Sequence, residues 1–279
     1  MGSADGIASE WPHTVTDRLR SASPFSFTGD RHARVLATAI HAGHDVRPEV
    51  AEVLGLDDAS RRREEDPHTD LLAASADFRL VSYRSRFEVD LNRPREKAVY
   101  RTAEDAWGLQ VWRSEPPPDL IDRSLAIHDQ FYAALAAHLD QLAATGPFVV
   151  FDVHSYNHRR GGPDAPPAPL LGNPDVNVGT GSMRPRWRPV VDALMGAFGR
   201  FDVGGSALDV RENVAFRGGD LARWVHTHYP STGCALAIEF KKTFMDEWTG
   251  DVDEARLDQL ASALRQAIPP VQDALRRAA

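Results

Sequence analysis

Short apolar runs alternate with helical patterns along this chain from residue 33 onwards. Four runs have the length and composition of buried strands, and these predicted strands cover 33–40, 78–83, 147–153 and 234–238. Apolar residues recur at helical spacing in the segments around them, and these predicted helices cover 47–56, 69–76, 119–144, 185–199, 221–229 and 253–279. The alternation predicts a single-domain α/β fold with a mainly parallel central sheet and helices on both faces.

Two segments without such a pattern bear on how the chain is organised. Residues 1–32 are polar and turn-rich, so we expect a loosely structured N-terminal lead-in before a domain that spans 33–279. Residues 160–182 are rich in Gly and Pro, and a loop of that length within a compact domain is usually functional or mobile.

Composition and charge restrict the partners and the compartment. The formal net charge is −8, from 40 acidic and 32 basic residues, which argues against binding to nucleic acid or to an anionic membrane. The single cysteine, Cys234, excludes an intrachain disulfide, and its apolar surroundings indicate a small core residue. There is no signal-peptide pattern, and no apolar stretch approaches the roughly 20 residues of a membrane span. We therefore expect a cytoplasmic protein.

Ionisable residues follow each predicted strand. His41 and His44 come after the first strand, Arg86 after the second, His154 at the end of the third and Glu239 at the end of the fourth. In open α/β sheets, ligands bind beyond the carboxyl ends of the strands, so these side chains are expected to meet at one edge.

A set of two histidines and a carboxylate suits a catalytic zinc ion, which takes three protein ligands and leaves one position for water. A nearby glutamate can then move protons, and arginines can neutralise a developing oxyanion. From the residues alone, a metal-dependent hydrolase is one hypothesis. Structural roles are the alternative: the histidines as capping or core residues, Asp66 as a turn residue before Pro67, and Glu239 as an exposed strand end.

The order of several short motifs resembles that of the N-formylglutamate amidohydrolases, which belong to the wider zinc carboxypeptidase-like group. The longest of these motifs is SRFEVDLNRP at 85–94. The others are IHAG at 40–43, EEDPHTDLL at 64–72, DVHS at 152–155 and ALAIEFKK at 235–242. The resemblance runs in order from about residue 35 to 245, and it implies a zinc carboxypeptidase-like catalytic domain.

The resemblance also implies a metal and a mechanism. One zinc ion per chain would be held by His41, Asp66 and His154. Glu239 would act as general base and then as general acid, and Arg86 would stabilise the tetrahedral oxyanion. Two alternatives stay open: His44 lies three residues after His41, and Glu65 lies beside Asp66, so either could replace its neighbour as ligand.

The substrate residues implied by the resemblance are Asn92 and Arg93, which would bind a carboxylate. The segment at 213–219 resembles a family loop that closes over the substrate, which makes Arg217 a further contact for an anion. The segment SYNHRR at 155–160 and the loop that follows it depart from the family pattern. They could reshape the pocket, so formylglutamate itself need not be the substrate.

Three functions are compatible with these residues. The first is a zinc-dependent amidohydrolase acting on a small carboxylated amide such as an N-acyl amino acid. The second is a metallocarboxypeptidase acting on a short peptide or a modified protein tail, and the third is a non-catalytic carboxylate-binding protein. A serine hydrolase is not favoured, because Ser155 and His154 are adjacent on a strand and face opposite ways, and no Gly-x-Ser-x-Gly turn is present.

Overall fold

The computed structural model describes residues 23–278, and nine strands lie within them. The strands are β1 Phe25–Gly29, β2 Val35–Ala39, β3 Phe78–Ser82, β4 Phe148–Tyr156, β5 Val176–Gly179, β6 Asp202–Val203, β7 Ser206–Ala207, β8 Val210–Glu212 and β9 Gly233–Lys241. Seven of them form one sheet in the order β1-β3-β2-β4-β9-β5-β8, and β6 pairs only with β7.

The middle of the sheet is parallel. Strands β3, β2, β4 and β9 run in the same direction, so their carboxyl ends meet at one edge. Strand β1 is antiparallel to β3, and β5 is antiparallel to β9 and parallel to β8. The prediction of a mainly parallel α/β sheet is confirmed, with antiparallel pairs towards its two sides.

Seven α-helices lie in the described part of the chain. They are α1 Pro48–Val53, α2 Asp58–Glu64, α3 Thr69–Ala73, α4 Pro118–Ala143, α5 Arg188–Phe198, α6 Asp220–His228 and α7 Glu254–Ala278. Within residues 23–278, no helix combines the length and the apolar character that crossing a membrane would require.

Each face of the sheet has its own apolar core, because successive strand residues point to opposite faces. On one face, α3, α5 and α7 cover residues such as Val149, Phe151 and Leu236. On the other face, α4 and α6 cover residues such as Val150 and Ala235. Cys234 is fully buried in the first core, as its apolar surroundings predicted.

Strand β1 lies within the segment that the sequence indicated as a loose lead-in. Its residues 25–29 pair with β3, and the ring of Phe25 contacts that of Phe131 edge-on at a centroid distance of 5.6 Å. This part of the expectation is wrong, because an alternation of only two phenylalanines within a turn-rich segment gives a weak strand signal. Residues 1–22 lie outside the described part of the chain.

Candidate active site

Three of the predicted ligands meet at the carboxyl edge of the parallel strands. His41 follows β2, His154 lies in β4, and Asp66 lies between α2 and α3, where its backbone N–H donates to the carbonyl of His41 (2.9 Å). One potential ligand atom of each residue lies within 4.8 Å of the others, and all three side chains are buried. The strand ends therefore place a compact His/Asp/His set where the sequence predicted it.

Both imidazole rings are oriented by a carboxylate on the side away from Asp66. Asp90 Oδ1 lies 2.7 Å from Nε2 of His41, and Asp152 Oδ1 lies 3.1 Å from Nε2 of His154. The Nδ1 atoms of His41 and His154 face Asp66 Oδ2, at 3.4 and 2.9 Å. A carboxylate behind each ring is the usual support of a metal-ligating histidine.

The His41 ring provides a direct test of whether a cation fits here. Its Nδ1 is buried and has no hydrogen-bond partner within residues 23–278, although it points towards Asp66. Buried polar atoms nearly always have a partner, so this orphaned nitrogen indicates that another group completes the site. Two imidazole nitrogens and a carboxylate oxygen are a ligand set that zinc prefers.

The charges of the site are consistent with this interpretation. Burial opposes ionisation of Asp66, but the hydrogen bond with His154 and the nearby ring of His41 hold the pKa of Asp66 below its ordinary value. Burial likewise opposes a charge on His154, yet Asp152 and Glu239 raise the pKa of His154 well above its ordinary value. The pocket thus favours positive charge between its carboxylates, which a metal cation would supply.

The two alternative ligands are engaged elsewhere. His44 Nδ1 lies 2.6 Å from Oε2 of Glu65, and Oε1 of Glu65 accepts a hydrogen bond from Ser85. The other ring nitrogen of His44 lies 3.0 Å from the guanidinium of Arg61. Glu65 and His44 therefore satisfy each other beside the site, and the geometry favours Asp66 and His41 as the ligands.

Glu239 lies next to His154 on the same face of the sheet. The two residues are register partners in the β4–β9 pair, and Glu239 is buried. Burial raises the pKa of Glu239 to about 7, and the charges of Asp66 and Asp152 act in the same direction. Because the Glu239 carboxylate receives no hydrogen bond from the described residues, it is free to accept a proton from water.

Arg86 reaches the same cavity from the loop after β3. Its Nη2 donates to Oδ2 of Asp90 (2.9 Å), and its Nε donates to the hydroxyl of Tyr100 (3.2 Å). Burial opposes the charge, but Asp90 and Tyr100 hold the pKa of Arg86 well above its ordinary value. Arg86 is therefore a fixed cation beside the His/Asp/His set.

The two members of the predicted carboxylate-binding pair have different surroundings. The Nδ2 of Asn92 lies 3.4 Å from Nε2 of His154, while its Oδ1 accepts from the backbone N–H of Leu221 (3.0 Å). Arg93 does not line the cavity: its Nη2 donates to the carbonyl of Asp105 (2.7 Å), and its guanidinium lies 5.2 Å from the ring centroid of Tyr100. Only Asn92 of this pair faces the site.

These side chains surround one cavity of about 270 Å³. Seven of the eight predicted site residues line it, namely His41, Asp66, Arg86, Asn92, His154, Arg217 and Glu239. Residues that were not predicted from the sequence also line it, among them Glu64, Trp107, Phe216 and Lys242. Tyr156 and Arg160 line it as well, and both lie in the segment that was expected to reshape the pocket.

Comparison with known proteins identifies the family of the chain. Residues 33–245 match the family model described as N-formylglutamate amidohydrolase. The chain belongs to the N-formylglutamate amidohydrolase family. It is therefore a member of a family of hydrolases that act on amide bonds. No curated protein gives a significant match to the sequence.

Two of the matching solved structures show the same fold. An N-formylglutamate amidohydrolase from Ralstonia eutropha JMP134 aligns with a TM-score of 0.70 at 15% identity, covering 92% of this chain and 100% of that one. The gene product Atu2144 from Agrobacterium tumefaciens aligns with a TM-score of 0.63 at 16% identity, covering 91% and 96%. A metallo-carboxypeptidase from Burkholderia cenocepacia matches at a TM-score of 0.36 and 16% identity, covering 89% and 60%.

Asp90 and Tyr100 belong to the site of this amidohydrolase-family protein, but they were not predicted from its sequence. Asp90 is fully buried and accepts hydrogen bonds from Arg86, from the hydroxyl of Tyr100 and from the backbone N–H of Asn92, besides its contact with His41. The only signal was the position of Asp90 inside the longest motif, where it also forms an ion pair with Arg93 (Nε–Oδ2 3.8 Å).

Lys242 is a third residue of the site that was not predicted from the sequence. Its side chain is buried, and its ammonium donates to the carbonyls of Arg63 and Glu65 and to Oδ1 of Asn157, at 2.6, 2.7 and 2.9 Å. Burial lowers the pKa of Lys242 to about 8. The hydrogen bond from Lys242 to the carbonyl of Glu65 fixes the backbone next to Asp66 at the end of β9.

Ser155 does not form a nucleophile pair in this family member. Its Oγ is buried and has no hydrogen-bond partner within the described residues, so no histidine can activate it.

Proposed function

We propose that this chain is a zinc-dependent amidohydrolase that cleaves the amide of a small N-acyl amino acid with a free carboxylate. The observation that carries the proposal is the buried His41/Asp66/His154 set with its orphaned imidazole nitrogen, beside an unpaired Glu239 in one cavity. The family supports the amide bond as the target. One zinc ion per chain is the cofactor that fits the donor set.

His41, Asp66 and His154 would hold the zinc ion, with Asp90 and Asp152 orienting the two rings. When bound, zinc lowers the pKa of water to roughly 7 and polarises a carbonyl group.

Glu239 is the group placed to move the proton. As the oxygen of water attacks the carbonyl carbon, Glu239 accepts a proton from that water. It then gives the proton to the amide nitrogen, the C–N bond breaks, and a carboxylic acid and a free amino acid result. The pKa of about 7 suits both roles, since a group that titrates near neutral pH accepts and returns a proton at little cost.

Arg86 and Arg217 would each bind a different negatively charged group: the developing oxyanion and the substrate carboxylate. Arg86 is fixed by Asp90 and Tyr100 beside the metal ligands, where it would donate to the developing oxyanion. Arg217 lines the same cavity, is exposed, and forms no ion pair within residues 23–278, so it is available to a substrate carboxylate. Asn92 would contribute its Nδ2 from the side of His154.

The experiment compares metal content and turnover in the wild type and in Glu239→Gln. Inductively coupled plasma mass spectrometry should find about one zinc per chain in both proteins, because Glu239 is not a ligand. The substitution should lower kcat for N-acyl amino acids by about 100-fold or more, since the proton acceptor is lost. His154→Ala is the matched control, and it should lose both the zinc and the activity.

Full activity of Glu239→Gln would remove this residue from the mechanism. A wild-type protein that takes up no zinc would contradict the ligand assignment. Hydrolysis of short peptides in preference to N-acyl amino acids would favour the carboxypeptidase alternative, and tight carboxylate binding without turnover would favour a binding protein.

A further inference from the structure

We propose that the acyl group of the substrate is larger than formyl and apolar, and that it packs against Trp107. The inference rests on the proposed amidohydrolase function and specifies its substrate class: amino acids that carry an aromatic or extended aliphatic N-acyl group. It starts from a large apolar side chain that the proposed reaction does not otherwise use.

Trp107 is the most exposed aromatic residue that lines the cavity. Its side chain is 55% exposed, whereas Trp187 in the core is fully buried. Phe216, on the segment that carries Arg217, also lines the cavity and is 37% exposed. Exposed indole surface is costly in water, and an apolar ligand group that covers it gains binding free energy.

The backbone presents Trp107 in an unusual conformation. Its φ is 55° and its ψ is 28°, in the left-handed region that a bulky residue rarely adopts. Such a conformation persists only when the surroundings fix it, and it occurs often at ligand-binding sites. The structure thus holds this tryptophan at the cavity against its intrinsic backbone preference.

Arg93 helps to fix the turn that carries Trp107. The turn closes through a hydrogen bond from the N–H of Gly108 to the carbonyl of Ala103 (2.7 Å). Arg93 donates to the carbonyl of Asp105, also at 2.7 Å, two residues before Trp107. The family resemblance assigned Arg93 to the substrate carboxylate. In this structure Arg93 instead supports the turn that carries Trp107.

The contact between the indole and Arg86 relates Trp107 to the acyl end of the substrate. The guanidinium carbon of Arg86 lies 4.8 Å from the Trp107 ring centroid, and the ring of Tyr100 meets it edge-on at 6.1 Å. Because Arg86 would face the oxyanion and also lies over the indole, the substituent on the same carbonyl carbon would extend along the exposed part of Trp107. A formyl group carries only hydrogen at that position and would leave this part of the indole exposed.

The experiment measures binding separately from turnover. The dissociation constants of N-phenylacetyl-L-glutamate and N-formyl-L-glutamate are determined by isothermal titration calorimetry on zinc-loaded Glu239→Gln, which should bind without hydrolysis. The phenylacetyl compound should bind about tenfold more tightly or better, because an apolar group in a matching pocket gives discrimination of this size. Adding Trp107→Ala to the Glu239→Gln protein should remove most of the difference between the two dissociation constants. Adding Trp107→Phe instead should keep part of it.

Leu171→Ala is the matched control, because Leu171 is 86% exposed and does not line the cavity. Equal or tighter binding of the formyl compound, binding of neither compound, or a preference that survives Trp107→Ala would each overturn the inference. Failure of the wild-type zinc protein to hydrolyse either compound would count against the proposed function alone. Thermal unfolding of each variant checks that the fold is kept.

Discussion

Some residues of the site act by orienting other side chains of the site. Asp90 orients His41 and fixes Arg86, and Asp152 lies behind His154. The motifs supplied the residues that would touch metal and substrate, but not these supports. A support is defined by its neighbours in space, and Asp90 and His41 are separated by 49 positions in the chain.

Position 219 requires glycine, because a side chain there would collide with Asn92. A Cβ added there would lie 2.2 Å from both side-chain amide atoms of Asn92, which is closer than atoms can approach. Asn92 also accepts the N–H of Leu221 and faces His154, so it cannot move aside without losing both contacts.

Gly219→Ala should therefore displace Asn92 and lower kcat/KM by about tenfold or more, since misplacement of a binding group by about 1 Å is costly. Gly172→Ala is the control, because its added Cβ meets nothing within 4 Å. The measurement is steady-state kinetics on zinc-loaded protein. Equal kcat/KM in both variants would show that Asn92 adjusts and that its position does not matter.

At the element scale, the segment 213–219 is held against β5 rather than left free. Oδ1 of Asn177 accepts the backbone N–H groups of Val214, Ala215 and Phe216, and its Nδ2 donates to the carbonyl of Phe216. Asn177 is fully buried, so these bonds do not compete with water. The resemblance predicted a loop that closes over the substrate, and the structure shows this loop already fastened at the cavity.

Asn177→Ala should release this segment. Three backbone N–H groups would lose their acceptor, at about 1–3 kcal/mol for each group that stays buried. Hydrogen–deuterium exchange at residues 214–216 should then become at least about tenfold faster. KM should rise more than kcat falls, because Arg217 and Phe216 line the cavity, are proposed to bind substrate and have no part in the proposed proton transfer.

The control for this prediction is Asn173→Ala, whose side chain makes an exposed hydrogen bond to the carbonyl of Pro169. It should change neither the exchange at 214–216 nor KM. Unchanged exchange in Asn177→Ala would mean that other contacts hold the segment.

At the scale of the whole molecule, parallel strands explain why much of the site could be predicted. Their carboxyl ends meet at one edge, so identifying β2, β4 and β9 already brought His41, His154 and Glu239 together. Strands β5 and β8 were missed, because short antiparallel or edge strands inside Gly- and Pro-rich segments have little periodicity. The direction of Arg93 could not be predicted either, because it depends on a carbonyl 12 residues away.

The stability of the whole molecule depends on a buried histidine outside the site. His226 in α6 accepts the backbone N–H of Ala235 at Nε2 (2.9 Å), so the neutral ring carries its hydrogen on Nδ1, 2.8 Å from Oγ of Ser182. Burial lowers the pKa of His226 to about 4, and the nearby charge of Arg184 acts in the same direction. The folded state therefore takes up this proton at lower pH than the unfolded chain, whose histidine titrates at about 6.5.

Between about pH 6.5 and 4, the unfolded chain binds more protons at this position than the folded chain, so acid should reduce the free energy of unfolding. The shift of the His226 pKa from 6.5 to about 4 corresponds to about 3 kcal/mol, lost progressively as the pH falls through that window. The free energy of unfolding is measured with urea near pH 7, 5.5 and 4. Between pH 7 and 4 it should fall by about 3 kcal/mol more in the wild type than in His226→Gln. The glutamine can accept the N–H of Ala235 but does not titrate, and every other ionisable group is common to both proteins. Parallel losses in the two proteins would show that His226 is protonated as readily in the folded as in the unfolded chain.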